Sequence, residues 1–151
     1  MRLTMDKKTF QIMIAGLFLL CCPLLSAAET LTVTINKQIF VLTIAKTMRQ
    51  HREGLMYKYH LPEHTGMIFP VNPIFAHNIE MWMKNTYIPL DMLFIGPDYQ
   101  INCIIKNTQP NALKRITCPY PTRAVIEING GESEKHHLTK GMKVSFKKDV
   151  L

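Results

Sequence analysis

The sequence contains few of the residues from which common enzymes build a nucleophilic site. After residue 28 the only serines are Ser133 and Ser145, and neither lies in a Gly-x-Ser-x-Gly elbow. The sequence also has no phosphate-binding loop and no dinucleotide fingerprint. No run of basic residues is longer than two, so the net positive charge is spread along the chain and no nucleic-acid site is predicted. These absences weigh against the common enzyme classes, and no cofactor is predicted.

The first 28 residues have the pattern of a signal peptide. Basic residues precede an apolar run from Phe10 to Leu25, and the small residues Ser26, Ala27 and Ala28 follow it. An uncleaved anchor is one alternative, but a membrane-spanning helix needs about 20 apolar residues and this run is shorter. A lipoprotein signal that uses Cys21 or Cys22 is another, but the bulky Leu20 precedes Cys21 where such a signal needs a small residue. We therefore predict a signal peptide over residues 1–28, export to the periplasm or medium, and no transmembrane segment after cleavage.

The four cysteines fall into two pairs. Cys21 and Cys22 lie in the predicted signal peptide, and Cys103 and Cys118 remain in the mature chain. An even pair in an oxidising compartment favours a disulfide. Two buried free thiols are the alternative.

The remaining residues, 29–151, predict one mostly β domain. Residues 30–35 and 38–45 are β-rich and flank Asn36-Lys37, which predicts a hairpin. Thr47 and Gly54 are suited to begin and end a short helix. Further short strands are predicted over residues 67–69, 79–84, 90–95, 100–105, 123–129 and 143–147, and a helical turn within residues 132–140. Short strands separated by turns are typical of a β-sandwich or barrel.

Residues 81–95 combine a large apolar surface with a few polar groups. The stretch holds Trp82, the only tryptophan, and a corner that contains Lys84, Asn85 and Tyr87. It also sets the acid Asp91 in an apolar run. A few polar groups on an apolar wall are typical of small-molecule sites. The alternative is that the whole stretch is scaffold.

Several segments together are similar to a known family. They are residues 54–56, 61–63, 66–69, 81–95 and 124–131, with Pro110 and Gly141. Over residues 31–147 the chain resembles the family catalogued as domain of unknown function 192. The resemblance implies a compact, jelly-roll-like β domain with one or two short helices, often secreted in bacteria, and implies no activity. The chain departs from the family pattern at His51, where the family usually has Arg, and at Met142, where it usually has Asp.

Asp91 and Glu127 are the acids most suited to a functional role. A carboxylate among apolar neighbours is costly unless it is paired or hydrogen-bonded. Asp91 has three possible roles. It is a ligand-binding or catalytic group, an ion-pair partner of Lys84 or Arg123, or an acceptor for the backbone N–H groups of residues 85–87. Glu127 is either a solvent-facing strand residue or, if it converges with Asp91, half of an acid–base or cation-binding pair.

The sequence leaves three functions open. The first is a non-catalytic binding module of the cell envelope, whose partner is a small molecule, an envelope polymer or a protein. Its candidate ligand-binding residues are Trp82, Lys84, Asn85, Tyr87, Asp91 and Glu127. The second is an enzyme that uses Asp91 and Glu127. The third is copper handling through methionine and histidine, since Met81 and Met83 would share one strand face; core packing is the alternative there, and no metal site is assigned.

Overall fold

The computed structural model describes residues 28–77 and 79–146. The predicted signal peptide therefore lies outside the described residues, except for Ala28. The described chain contains nine strands, two short α-helices and one 3₁₀ turn, Pro73–Phe75. The strands are β1 Thr30–Ile35, β2 Gln38–Ile44, β3 Thr65–Pro70, β4 Glu80–Met81, β5 Leu90–Ile95, β6 Ile101–Ile105, β7 Ile116–Thr117, β8 Ala124–Asn129 and β9 Val144–Phe146, and the helices are α1 Met48–Glu53 and α2 Glu132–Lys135. The mostly β prediction is confirmed.

The first hairpin and helix form where their turn and cap residues predict them. β1 pairs antiparallel with β2 around Asn36 and Lys37, which have φ angles of 47° and 66°. Positive φ at both loop residues matches the twist of a two-residue hairpin. The Thr47 side chain accepts a hydrogen bond from the Gln50 backbone N–H, and the Gln50 side-chain oxygen accepts one from the Thr47 backbone N–H, so a full capping box begins α1.

Seven strands form one mixed sheet in the order β6-β5-β8-β3-β2-β1-β9. β2 and β3 are parallel and are connected through α1, while the other neighbouring pairs are antiparallel. The sheet curls until residues beside its two edge strands meet. Gln100 forms a bridge with Lys143, and the Val144 N–H donates to the Tyr99 carbonyl at 2.8 Å.

Both faces of the sheet are buried along β3, β5 and β8, and each faces its own apolar cluster, whereas β1 and β2 are buried on the inner face only. The inner cluster, inside the curl, includes Phe40, Leu42, Leu93 and Ile126. The outer cluster lies on the other face and includes Leu55, Met67, Phe69, Met83, Leu90, Met92, Phe94 and Val125. Cys118 belongs to this outer cluster and is joined to Cys103 of β6 by a disulfide. The disulfide that the sequence favoured is therefore present, and it holds the long segment after β6 against the outer face.

The strand predicted over residues 79–84 is shorter than expected. Only Glu80 and Met81 pair, and their partners are Thr117 and Ile116, in a segment expected to be loop. The chain leaves the ladder because the Met83 N–H donates to the Ala112 carbonyl and the Met83 side chain is buried. No helix in the described part of the chain is long and apolar enough to cross a membrane.

Candidate functional site

Asp91 lies at the start of β5 and is completely buried. Its carboxylate accepts hydrogen bonds from the backbone N–H groups of Asn107 at 2.7 Å, Gly131 at 3.1 Å and Ser133 at 2.8 Å, and another from the Ser133 hydroxyl. A carboxylate with this many donors is fully solvated by the protein. The acid fastens β5 to the segment after β6 and to the start of α2. Its donors differ from residues 85–87, which the sequence suggested.

Glu127 lies near the end of β8 and is 4% exposed, so the expectation of a solvent-facing glutamate is wrong. Its strand neighbours are Met67 on β3 and Met92 on β5, both in the outer cluster. Alternation places Glu127 opposite Ile126 and Ile128, as predicted, but a second apolar layer covers that face too. Burial raises the pKa of the Glu127 carboxyl to about 8.

The Glu127 carboxyl makes no hydrogen bond or ion pair with any residue that the structure describes. Its oxygens are not among the fully buried polar atoms that lack a partner, so they are reached from the cavity that they line. A carboxyl in this position has lost most of its hydration and has no protein donor in its place. Such a group in a cavity is a candidate functional group on physical grounds.

Asp91 and Glu127 lie on opposite faces of the sheet. In the ladder Asp91 pairs with Ile128 of the inner cluster, whereas Glu127 pairs with Met92 of the outer cluster. Paired residues point to the same face and successive residues to opposite faces. The two carboxyl groups therefore cannot act together on one substrate or hold one cation.

Glu127 forms part of the wall of a narrow cavity of about 60 Å³, called here the Glu127 cavity. The other lining residues come from the end of α1 and the residues after it, from β3 and from residues 80–86: His51, Arg52, Glu53, Gly54, Leu55, Met56, Phe69, Glu80, Met81, Trp82 and Thr86. Gly54 makes the close approach of α1 possible. It has a φ of 49°, and a Cβ there would lie 3.2 Å from Phe69 Cζ and 3.8 Å from Glu127 Oε2.

A larger open groove of about 650 Å³, called here the outer groove, shares five lining residues with the Glu127 cavity. The shared residues are His51, Arg52, Phe69, Glu80 and Met81. The groove continues along Pro70, Val71, Asn72, Phe75 and Ile79, with Met48 and Arg115 also on its wall. The cavity and the groove together form one depression with mainly apolar walls over the outer cluster.

Most charges around this depression are paired. Glu53 accepts from Arg49 at 3.4 Å, and Glu80 lies 3.6 Å from Arg115. Arg52 makes no ion pair with a described residue, and it is exposed to solvent. The unpaired charge-bearing groups are thus an exposed guanidinium at the rim and the buried Glu127 carboxyl inside.

The candidate residues within 81–95 lie in different parts of the structure. Trp82 lines the Glu127 cavity, with the Arg115 guanidinium 4.4 Å and the Lys84 ammonium 5.6 Å from its ring centroid. Asn85 donates from its side chain to the Tyr57 hydroxyl at 2.9 Å.

Tyr87 belongs to an exposed cluster of three tyrosine rings. Its ring centroid lies 6.2 Å from that of Tyr57 and 4.9 Å from that of Tyr59. Residues 81–95 therefore contribute Trp82 to the cavity that contains Glu127, while Asn85 and Tyr87 face a separate aromatic surface.

The two methionines of the copper hypothesis do not share a strand face. β4 ends at Met81, which lines the cavity, and Met83 is buried and accepts a hydrogen bond from the Thr108 hydroxyl at 3.2 Å. Within the described ranges, no three His, Cys, Asp or Glu side chains are placed to hold a metal ion.

Sequence reasoning missed most residues that surround Glu127. Arg52 had no signal of its own, Phe69 was named only within a family segment, and Met81 was considered for copper and not as a neighbour of Glu127. Nothing in the chain order brings α1, β3 and β4 together. His51 had one signal, since it is a position where the chain departs from the family pattern. It lies beside Glu127 in the cavity and contacts Phe69 edge-on, with ring centroids 5.9 Å apart.

Comparison with known proteins identifies the family. The model of the family DUF192, described as "Uncharacterized ACR", matches residues 31–146. A protein of unknown function from Novosphingobium aromaticivorans is 35% identical, with a TM-score of 0.69 over 78% of this chain and 84% of that one. A putative transcription regulator from Sinorhizobium meliloti is 29% identical, with a TM-score of 0.71 over 79% of this chain and 95% of that one. No curated protein matches. The chain belongs to the domain of unknown function 192 family.

Proposed function

We propose that this protein is a small exported binding module of the cell envelope, and that it takes a small molecule into the outer groove and the Glu127 cavity. One observation carries the proposal: a largely buried carboxyl that makes no hydrogen bond or ion pair with a described residue stands at the wall of an open depression. A polar group in such a place has lost hydration that protein donors do not replace, which costs stability. A ligand that hydrogen-bonds to Glu127 recovers that cost on binding.

The walls have the composition of a ligand site. Phe69, Phe75, Ile79 and Met81 supply apolar contact surface, and only a few polar groups interrupt it. Small-molecule sites combine apolar walls with a small number of placed polar groups. Binding is favoured over two-carboxylate catalysis because Asp91 points to the opposite face and its oxygens are already engaged.

A ligand screen tests the binding function. Thermal-shift assays against small amines, carboxylates and neutral sugars should yield ligands that raise Tm. The shift should disappear in Glu127→Gln and persist in Glu134→Gln, which makes the same change at an exposed position on α2. If hits stabilise the Glu127→Gln protein as much as the wild type, the groove is not their site and the proposal is wrong.

Export is supported by the leader pattern of residues 1–28 and by the Cys103–Cys118 disulfide, because such bonds persist in oxidising compartments. The intact mass of protein recovered from the periplasm or medium should correspond to a chain that begins near Glu29. Recovery of the full-length chain from the cytoplasm would contradict export.

A further inference from the structure

We infer that the Glu127 cavity binds a compact primary ammonium group, carried on an apolar body that lies in the outer groove. This inference rests on the proposed function and names the chemistry of its ligand. Three features of the cavity carry it: its size, its aromatic walls and the balance of charges around Glu127.

The size of the cavity restricts the group that enters it. The Glu127 cavity, at about 60 Å³, is about a tenth of the outer groove. A cavity of this size has room for a polar group of a few heavy atoms, such as an ammonium and its first methylene. A sugar ring or a planar base is much larger and has room only in the outer groove, whose volume is about 650 Å³.

The walls of the cavity favour a cation. Phe69 and Trp82 line it, and the faces of aromatic rings attract cations. Trp82 already shows this preference, since the Arg115 guanidinium lies 4.4 Å from its ring centroid. The Glu127 carboxyl then supplies the counter-charge, with no competing partner among the described residues.

The titratable and charged groups that face the cavity are His51, Arg52 and Glu53 from the end of α1 and Glu80 from β4. The strand neighbours of Glu127, Met67 and Met92, carry no charge. Arg52 opposes a bound ammonium, and so do Arg115 and Lys84, which lie 4.4 Å and 5.6 Å from the Trp82 ring centroid. All three cations are exposed to solvent, which screens the repulsion. Glu53 and Glu80 also line the cavity, and each is paired with an arginine, Arg49 and Arg115 respectively.

Ammonium binding is coupled to loss of a proton from Glu127. At neutral pH the buried carboxyl holds its proton, because its pKa is raised to about 8. When R–NH₃⁺ enters, the carboxyl ionises, its proton passes to solvent, and an ion pair forms. An alkylammonium stays charged up to a pH of about 10. As pH rises towards 8, the dissociation constant should therefore fall by up to about ten-fold for each pH unit. Above pH 8 it should level off.

Three ligands with one apolar body test the inference: hexylamine, 1-hexanol and hexanoate. Each is titrated at pH 6, 7 and 8 and followed through the indole N–H resonance of Trp82, the only tryptophan, which lines the cavity. Hexylamine should bind most tightly, and its binding should strengthen with pH. Glu127→Gln should weaken hexylamine at pH 8 by about ten-fold or more, since the ion pair is lost, while Glu134→Gln should not.

The pH series needs one more control, because histidine can also change charge near neutral pH. The His51→Gln variant should keep the pH dependence if Glu127 is its source, and loss of the dependence in that variant would overturn the assignment. The ligand series in the wild-type protein decides the outcome even if Glu127→Gln does not fold.

The two proposals fail differently. If hexanol or hexanoate binds more tightly than hexylamine, or if affinity falls as pH rises, the ammonium inference is wrong and the groove remains a binding site. If none of the three shifts the Trp82 resonance and the wider screen also yields no ligand that depends on Glu127, the proposed function fails as well.

Discussion

Replacement of Asp91 by asparagine tests whether this acid is structural. The Asp91 Oδ1 atom accepts from the N–H groups of Asn107 and Gly131, and Oδ2 accepts from Gly131 and from the N–H and hydroxyl of Ser133. Asparagine keeps one acceptor oxygen and replaces the other by an NH₂ donor. Whichever way the amide is turned, at least one backbone N–H loses its acceptor, that of Asn107 or that of Ser133.

The expected cost follows from these bonds. One orphaned buried donor costs about 1–3 kcal/mol, and the remaining bonds lose their charge assistance. We therefore expect Asp91→Asn to lower the free energy of unfolding by about 2–4 kcal/mol. For a domain of this size each kcal/mol corresponds to roughly 3–4 °C, so Tm should fall by about 6–16 °C.

Urea unfolding and calorimetry, with the disulfide intact, measure this effect. Asp98→Asn is the matched control, because Asp98 is an exposed turn residue that accepts one hydrogen bond, from the Gln100 N–H at 3.1 Å. The Asp98→Asn substitution should change the free energy of unfolding by no more than about 1 kcal/mol. If Asp91→Asn unfolds within about 2 °C of the wild type, the carboxylate does not hold β5 and α2 together, and the scaffold reasoning is wrong.

Three further predictions concern stability. The pKa of Glu127 is about 8 in the folded chain, above its ordinary value of 4.5, so its contribution to stability is complete below pH 4.5 and is lost as pH rises towards 8. In Glu127→Gln this loss should be absent, so the free energy of unfolding of the variant should rise relative to the wild type by up to about 1.4 kcal/mol per pH unit over that range. A difference between the two urea midpoints that does not vary with pH would contradict the assignment. Reduction of the Cys103–Cys118 bond, which spans 15 residues, should lower the free energy of unfolding by about 3 kcal/mol. Denaturant unfolding curves with and without reductant measure this difference, and equal midpoints would refute a stabilising role. Gly66→Ala should prevent stable folding, because its Cβ would lie 2.1 Å from the Glu127 carbonyl oxygen, and a circular-dichroism melt close to that of the wild type would show that β3 and β8 can separate.

Much of the local structure could be predicted because its causes are local. The hairpin follows from Asn36-Lys37 at the two positions that need positive φ, and α1 follows from the Thr47 capping box. The strand over residues 90–95 was predicted with its observed limits, since a continuous apolar run is a strong signal for a buried strand. The mostly β class follows from such signals taken together.

The tertiary structure alone decided the roles of the two acids. Sequence placed both in strands and left open whether they converge, because the strand neighbours of β5 and β8 are not encoded in chain order. The register pairs Asp91 with Ile128 and Met92 with Glu127, which sends the two carboxyl groups to opposite faces. Donors from distant loops then surround Asp91, while Glu127 is left beside a cavity.

The sequence by itself determined the pairing of the two cysteines, the turns and caps and the β class, because each depends on residues close in the chain or on composition. The burial of Glu127 and the cavity beside it depend on α1, β3, β4 and β8 meeting over the outer cluster. Alternation along a strand predicts that its two faces differ in polarity, but it does not predict whether a second layer of the protein covers the polar face. Only packing decides that, so the candidate site appeared with the tertiary structure.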